Sequence, residues 1–374
     1  MRIFHFAATE TTTNIQGNHR HIAYLAGAQR ARGMDANVVT SKHGLISNLY
    51  KQDGIPTFVV DDLLADELPK GEDVVPGAGI STQEIVARLK DFNPEIIHCH
   101  DLHMGQVVVT AANIIKVPCV VTLHETGIDS IISEFFARKR AGLKFTLITV
   151  SKREFDVMQD RGMAGAGITF HYVPNGTPVG TQKKQGPPHK PNLIMVARLG
   201  FVKGVDIAIL AMVELRRRHR SDCPVLNIYG AGDLGEYLIE MVKVLRIGDV
   251  VKFHGIQMNV LSKCSSSDVL VVASRFETGP LVIPEAMSRG MPIVACNVGQ
   301  VTEMLPDKRY GRVVPVNSIT ELADAIDSML TDIASGRFNP DLLVKRHQSQ
   351  YSIEMMADRT AAIYESAIAE LELV

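Results

Sequence analysis

Short apolar runs rich in valine and isoleucine alternate along the chain with longer amphipathic stretches. In the first half the runs fall at 2–7, 37–40, 95–99, 118–123, 146–150 and 168–173. Each is almost continuously apolar, which is how a strand buried on both faces of a parallel sheet reads. Helix-like stretches lie between them, two opening with capping-box signatures. These are Ser81-Thr82-Gln83-Glu84 and Ser151-Lys152-Arg153-Glu154, where hydroxyl and carboxylate can satisfy backbone donors reciprocally. Strand and helix in alternation predict βαβ units with right-handed crossovers.

The pattern breaks at Pro174-Asn175-Gly176-Thr177-Pro178 and a Gly-, Pro- and Lys-rich stretch, then restarts with apolar runs at 192–197, 224–229, 250–253, 269–273 and 292–295. The expected organisation is a first Rossmann-like domain over 1–180, a linker over 181–190, and a second such domain over 191–350. A helix over 351–374 is expected to return to the first domain. Ligands of open parallel sheets gather at the carboxyl ends of the strands, so two doubly wound domains facing across a cleft are expected to share one site.

Composition narrows the function. The chain has 374 residues, 46% apolar and 21% charged, with 39 basic against 41 acidic side chains and a net charge of −2. This balance excludes a disordered chain and lacks the basic excess of a nucleic-acid binder. Five scattered cysteines imply no disulfide framework. With no leader segment and no apolar run near membrane length, a cytoplasmic setting is expected.

The most informative stretch is Ser274-Arg275-Phe276-Glu277-Thr278-Gly279-Pro280-Leu281-Val282-Ile283-Pro284-Glu285. It follows a buried run, and Pro284 suits a first helical position, so a helix is expected to open there. Glu277 then lies in the loop and Glu285 in the first turn, where the helix dipole favours a carboxylate. Loop amides running into a helix N-terminus make a seat for phosphate. Arg198 and Lys203 stand at the equivalent turn after 192–197, a guanidinium and an ammonium suited to clamping a diphosphate.

These residues resemble the retaining glycosyltransferases of the GT-B fold, family four. The resemblance is carried by Ala197-Arg198-Leu199 with Lys203-Gly204, by Glu277 and Glu285, by 286–295, and by 299–303. It is carried more loosely by Val121-Thr122-Leu123-His124, Gly17 and Val173-Pro174-Asn175-Gly176. It implies an α/β GT-B enzyme that moves a hexosyl or N-acetylhexosaminyl group from a nucleotide diphosphate donor, with uridine favoured. The acceptor is a small molecule or glycan. Arg198 and Lys203 would hold the diphosphate, Glu285 the ribose, and Glu277 the transferred sugar, with Thr278, Gly279, Pro280 and Leu281 around sugar and phosphate. Gly232, Gly255 and Ile256 would line the nucleotide, and Gly17 would leave room for phosphates. His124 would approach the sugar from the first domain, with Asn18, His100 and Asn175 on the acceptor side. No metal or cofactor is implied. Pro280 departs from the family pattern and has no N–H to offer a donor. A nucleotide-sugar epimerase on the same fold is the alternative.

Three other patterns carry rival chemistry. Gly230-Ala231-Gly232-Asp233-Leu234-Gly235 fits a dinucleotide fingerprint, with Asp249 as its acid, but follows the second strand of its domain instead of the first. His98-Cys99-His100-Asp101-Leu102-His103 suggests a metal cluster, yet strand alternation sends Cys99 to the face opposite His98 and His100. The stretch 131–144 could make weak peripheral contact with an anionic membrane, although a helix packing Phe135 and Phe136 inward is the simpler reading.

Overall fold

The computed structural model describes residues 1–7, 17–41, 43–60, 82–100, 102–124, 143–162, 168–180 and 190–372. The capping residue Ser81, the stretch 131–142 and most of the expected linker, 181–189, lie outside these. The chain divides into two compact units, Met1–Gly176 with Ile353–Val374, and Thr177–Ser352.

The first unit is a seven-stranded parallel sheet. Its strands are β1 (Arg2–Phe6), β2 (Asp35–Thr40), β3 (Thr57–Val59), β4 (Ile96–Cys99), β5 (Cys119–Leu123), β6 (Phe145–Thr149) and β7 (Ile168–Tyr172), in the order β3-β2-β1-β4-β5-β6-β7. Helices α1 (Gly17–Ala31), α2 (Leu45–Gln52), α3 (Thr82–Phe92), α4 (Leu102–Ile115) and α5 (Lys152–Asp160) intervene. The side-chain period of two divides each strand between the two faces. Phe4, Phe6, Ile97, Cys99, Val121 and Leu123 enter one apolar cluster, and Ile3, Ile96, Val120 and Ile148 enter the other, beneath α1. Ser151 is the N-cap of α5, but its buried hydroxyl makes no capping bond, so the predicted box does not form there.

The second unit repeats the plan. Strands β8 (Leu193–Val196), β9 (Leu226–Tyr229), β10 (Val251–Phe253), β11 (Val269–Val272), β12 (Ile293–Cys296) and β13 (Arg312–Val314) form a parallel sheet ordered β10-β9-β8-β11-β12-β13. Helices α6 (Val205–His219), α7 (Gly235–Val244) and α11 (Ile319–Ala334) cover one face. The short α8 (Val260–Lys263), α9 (Val282–Met287) and α10 (Val301–Met304), with α12 (Pro340–Arg346), lie on the other. The basic end of α6 is less free than a solvated helix end would be. Arg218 reaches Asp324 and Asp327 on α11 at 2.7 and 2.9 Å, and Arg216 reaches Asp249 at 2.8 Å.

The chain passes between the units twice. At the first passage the Thr177 N–H donates to the Tyr351 carbonyl and its hydroxyl bonds His347 at 3.0 Å, which assigns Thr177 to the second unit. At the second, α13 (Ile353–Glu372) returns to the first unit, where Met356, Ala357, Ile363 and Tyr364 are buried in the cluster beneath α1. No helix among the described residues is long and apolar enough to cross a membrane.

Candidate active site

In the second unit β8 pairs with both β9 and β11, so the strand order reverses at β8. A crevice at the carboxyl ends of the strands is expected at this reversal. The two stretches singled out from the sequence end there together. Arg198 follows β8, is exposed, and makes no ion pair among the described residues. Lys203 closes a short turn, Phe201–Lys203, that leads into α6 through Gly204. Gly204 has φ +60°, and a Cβ there would sit 2.0 Å from the Ala273 carbonyl oxygen, so only glycine lets this turn lie against the end of β11.

The Lys203 ammonium bonds the Glu277 carboxylate through Oε1. The Ser274 hydroxyl donates to the same oxygen at 3.1 Å, leaving Oε2 free among the described residues. Arg275 fixes the loop that carries Glu277. Its guanidinium grips Asp206 at 2.6 and 2.9 Å, donates to the Phe201 carbonyl and to Asn317 at 2.8 Å each, and stacks 4.3 Å above the Phe201 ring. Burial pushes the Asp206 carboxyl upward, but the bonds and charge of Arg275 outweigh it and hold the group below its ordinary value. The charge of Arg275 is thus balanced by Asp206, whereas Arg198 has no carboxylate partner among the described residues. Asp206, Ser274 and the anchoring role of Arg275 were not read from the sequence, because the pairing joins two turns far apart in the chain.

Beyond Glu277, Thr278 and Pro280 are buried, and the Thr278 carbonyl accepts from the Gln300 N–H at 3.0 Å. Helix α9 begins at Val282 with Leu281 as N-cap, not at Pro284 as expected. Pro284 is the third helical residue. The first four amides of a helix have no intrahelical acceptor, so proline loses nothing anywhere in that turn. Glu285 remains in the first turn and is partly buried.

Gly255 and Ile256 follow β10, where Ile256 is 64% exposed and His254 stacks on Tyr229 at 4.6 Å. Gly232 follows β9. A Cβ there would stand 2.6 Å from the Leu199 carbonyl oxygen, so the glycine run is accounted for by close packing against the Arg198 turn. Asp249 precedes β10 and pairs with Arg216 at the opposite end of the sheet, which removes the ribose acid a dinucleotide site would need.

The first unit places its own polar group at its strand-order reversal, between β1 and β4. Gly17 opens α1, followed by Asn18, whose side chain accepts from the His19 N–H. His5, His98 and His100 share the α1 face of the sheet while Cys99 packs on the other, as alternation requires. His98 bonds Tyr364 of α13 at 2.5 Å and Thr122 at 2.7 Å. His100 bonds His5 at 2.9 Å and His124 at 3.3 Å. His21, which sequence reasoning missed, bonds Asn175 at 2.8 Å, joining α1 to the turn after β7. Burial lowers His5 and His21 to about 4 and takes His98, His100 and His124 well below the ordinary value, so all five stay neutral near pH 7.

Comparison with known proteins matches both units. The family described as Glycosyl transferases group 1 matches residues 181–337, and the Glycosyl transferase 4-like domain matches residues 16–176. The glycogen synthase of Mycobacterium tuberculosis is 25% identical over 94% of this chain and 92% of its own. The alpha-D-kanosaminyltransferase of Streptomyces kanamyceticus is 30% identical over 49% of this chain and 47% of its own. Among solved structures, Anabaena Alr3699/HepE in complex with UDP-glucose superposes with a TM-score of 0.77 at 18% identity, covering 98% of this chain and 100% of that one. The fold is thus that of the GT-B glycosyltransferases.

Proposed function

Since glycosyl transferase families match both units, group 1 the second and the 4-like domain the first, we propose that the chain moves a hexosyl or N-acetylhexosaminyl group, with retention at the anomeric carbon, from a UDP-sugar to an acceptor hydroxyl. The observation that carries this reading is the meeting of Arg198, Lys203 and the Glu277 loop at the strand-order reversal of the second unit. The neighbour solved with UDP-glucose supports a uridine donor and a hexose, and the relative that is a glycogen synthase agrees with the hexose.

The leaving group gains negative charge as the glycosidic bond breaks, so fixed positive charge at that point lowers the barrier. Arg198 offers a bidentate fork and Lys203 a point charge, which removes the need for a metal at the diphosphate. Amides of the 278–281 loop, excepting Pro280, add to the cradle, and Glu285 takes the ribose diol. The free Oε2 of Glu277 accepts a hydroxyl of the transferred sugar and steadies its oxocarbenium character. The acceptor belongs to the first unit, where His100, His124 and Asn175 stand.

Incubating the protein with UDP-hexoses and a panel of acceptor alcohols, and reading the products by NMR, tests this. A glycoside of unchanged anomeric configuration is expected. An isomerised nucleotide sugar without transfer would mark an epimerase instead, and an inverted product would contradict retention. Arg198→Ala and Glu285→Ala are expected to lose donor affinity, and Glu277→Ala to lose turnover.

A further inference from the structure

We propose that His21, His100 and His124 form a three-nitrogen site for a divalent transition metal of the zinc class, at the carboxyl ends of β4 and β5 in the first unit. One nitrogen of each lies within 4.8 Å of the others. His100 Nδ1 and His124 Nε2 are 3.3 Å apart. Two imidazole nitrogens bound at about 2.0–2.1 Å to a tetrahedral ion are separated by roughly that distance.

The outer hydrogen bonds set which nitrogens carry lone pairs. His21 Nδ1 faces Asn175 Oδ1 at 2.8 Å, an acceptor that requires an N–H. The lone pair of His21 therefore sits on Nε2, which is buried without a hydrogen-bond partner among the described residues. His5 Nε2 faces the Gln29 carboxamide oxygen at 2.7 Å and so carries the proton. His5 Nδ1 must then accept from His100 Nε2, 2.9 Å away, and the lone pair of His100 lies on Nδ1. Two ligand nitrogens are thus oriented by carboxamide oxygens, directly or through one further imidazole. Metal-binding histidines are commonly held in this way. His21 and His100 are 3% exposed each.

The neighbouring trio of His5, His98 and His100 also lies within ligand reach. It carries no site, because an ion there would break bonds of 2.5–2.9 Å at both ring nitrogens of His5 and His98, whereas the proposed trio gives up only the 3.3 Å His100–His124 contact, with the His124 proton moving to Nδ1. Three neutral imidazoles suit zinc, cobalt, nickel or copper, not magnesium or calcium. The sequence hid this arrangement. The local cluster 98–103 draws the eye to Cys99, whereas the ligands come from α1 and the ends of two strands.

The inference concerns the first unit alone: an ion there would share His100, His124 and Asn175 with the acceptor side of the proposed reading, and it does not depend on the diphosphate seat of Arg198 and Lys203. Chelator-treated full-length protein is titrated with Co²⁺, read by visible d–d absorption and calorimetry, and then with Zn²⁺. One cobalt ion per chain is expected, displaced by zinc. His21→Ala should abolish the spectrum, and Asn175→Ala should weaken binding about 10–100-fold at unchanged stoichiometry. Circular dichroism in chelator checks that both variants fold. If His21→Ala does not fold, the melting temperature of the unmodified protein decides, since bound metal must raise it in a concentration-dependent way. Absence of the cobalt spectrum, absence of that rise, or equal affinity in a folded His21→Ala variant would overturn the proposal.

Discussion

Glu277 is held by two donors on one oxygen, the Lys203 ammonium and the Ser274 hydroxyl, and both lock the carboxylate before any ligand arrives. Glu277→Gln keeps the shape and removes the charge. Turnover is expected to fall about 10²–10³-fold while donor affinity holds, as for loss of one preorganised electrostatic group, checked by kcat against Kd. Arg275 acts at one remove, through the turn that carries Lys203. Asp206→Asn breaks its ion pair and is expected to cost about 1–3 kcal/mol in urea unfolding of the second unit, because the pair is only partly buried. Arg198, Lys203, Glu277 and Glu285 were legible because each follows a strand or opens a helix at a readable spacing. The partners of Arg275 and of His21 were not, since nothing local in the sequence says which turns meet.

Among the elements, the central strands read correctly because burial on both faces writes itself as unbroken Val/Ile runs. β3 and β13 were missed. Each has three residues and lies at a sheet edge with mixed burial, so its pattern is no different from a loop. Helix α13 was legible as a helix, but its binding face was not, because its anchor is a polar one. Tyr364 is fully buried, bonding His98 and accepting from Gln29 at 3.2 Å. Tyr364→Phe keeps the ring and strands both partners, so a loss of about 1–3 kcal/mol in the first unit is expected by chemical denaturation. A loss below a few tenths of a kcal/mol would mean that water replaces the hydroxyl.

For the whole molecule, two compact units predict two unfolding events, and acid should separate them. His5 and His21 have folded values near 4 against 6.5 unfolded, so the unfolded state binds more protons between those limits. Their stability contribution is complete above about pH 6.5 and is lost as pH falls toward 4. The shifted carboxylates of the second unit, Asp206 and Asp332 among them, are lowered instead and lose their contribution only below the ordinary carboxylate range. Calorimetry in chelator should therefore show the first unit's transition falling between pH 6.5 and 4.5 while the second unit's holds. Nucleoside diphosphate should raise only the second unit's transition.

The central claim, that the second unit seats a diphosphate on Arg198 and Lys203, is tested most directly by calorimetric titration of UDP into the full chain and into its Arg198→Ala and Lys203→Ala variants. Saturable one-to-one binding is expected in the unmodified protein, with each variant weakened about tenfold or more by loss of a charge-assisted bond. Equal affinity in all three, or no binding in any, would contradict the account.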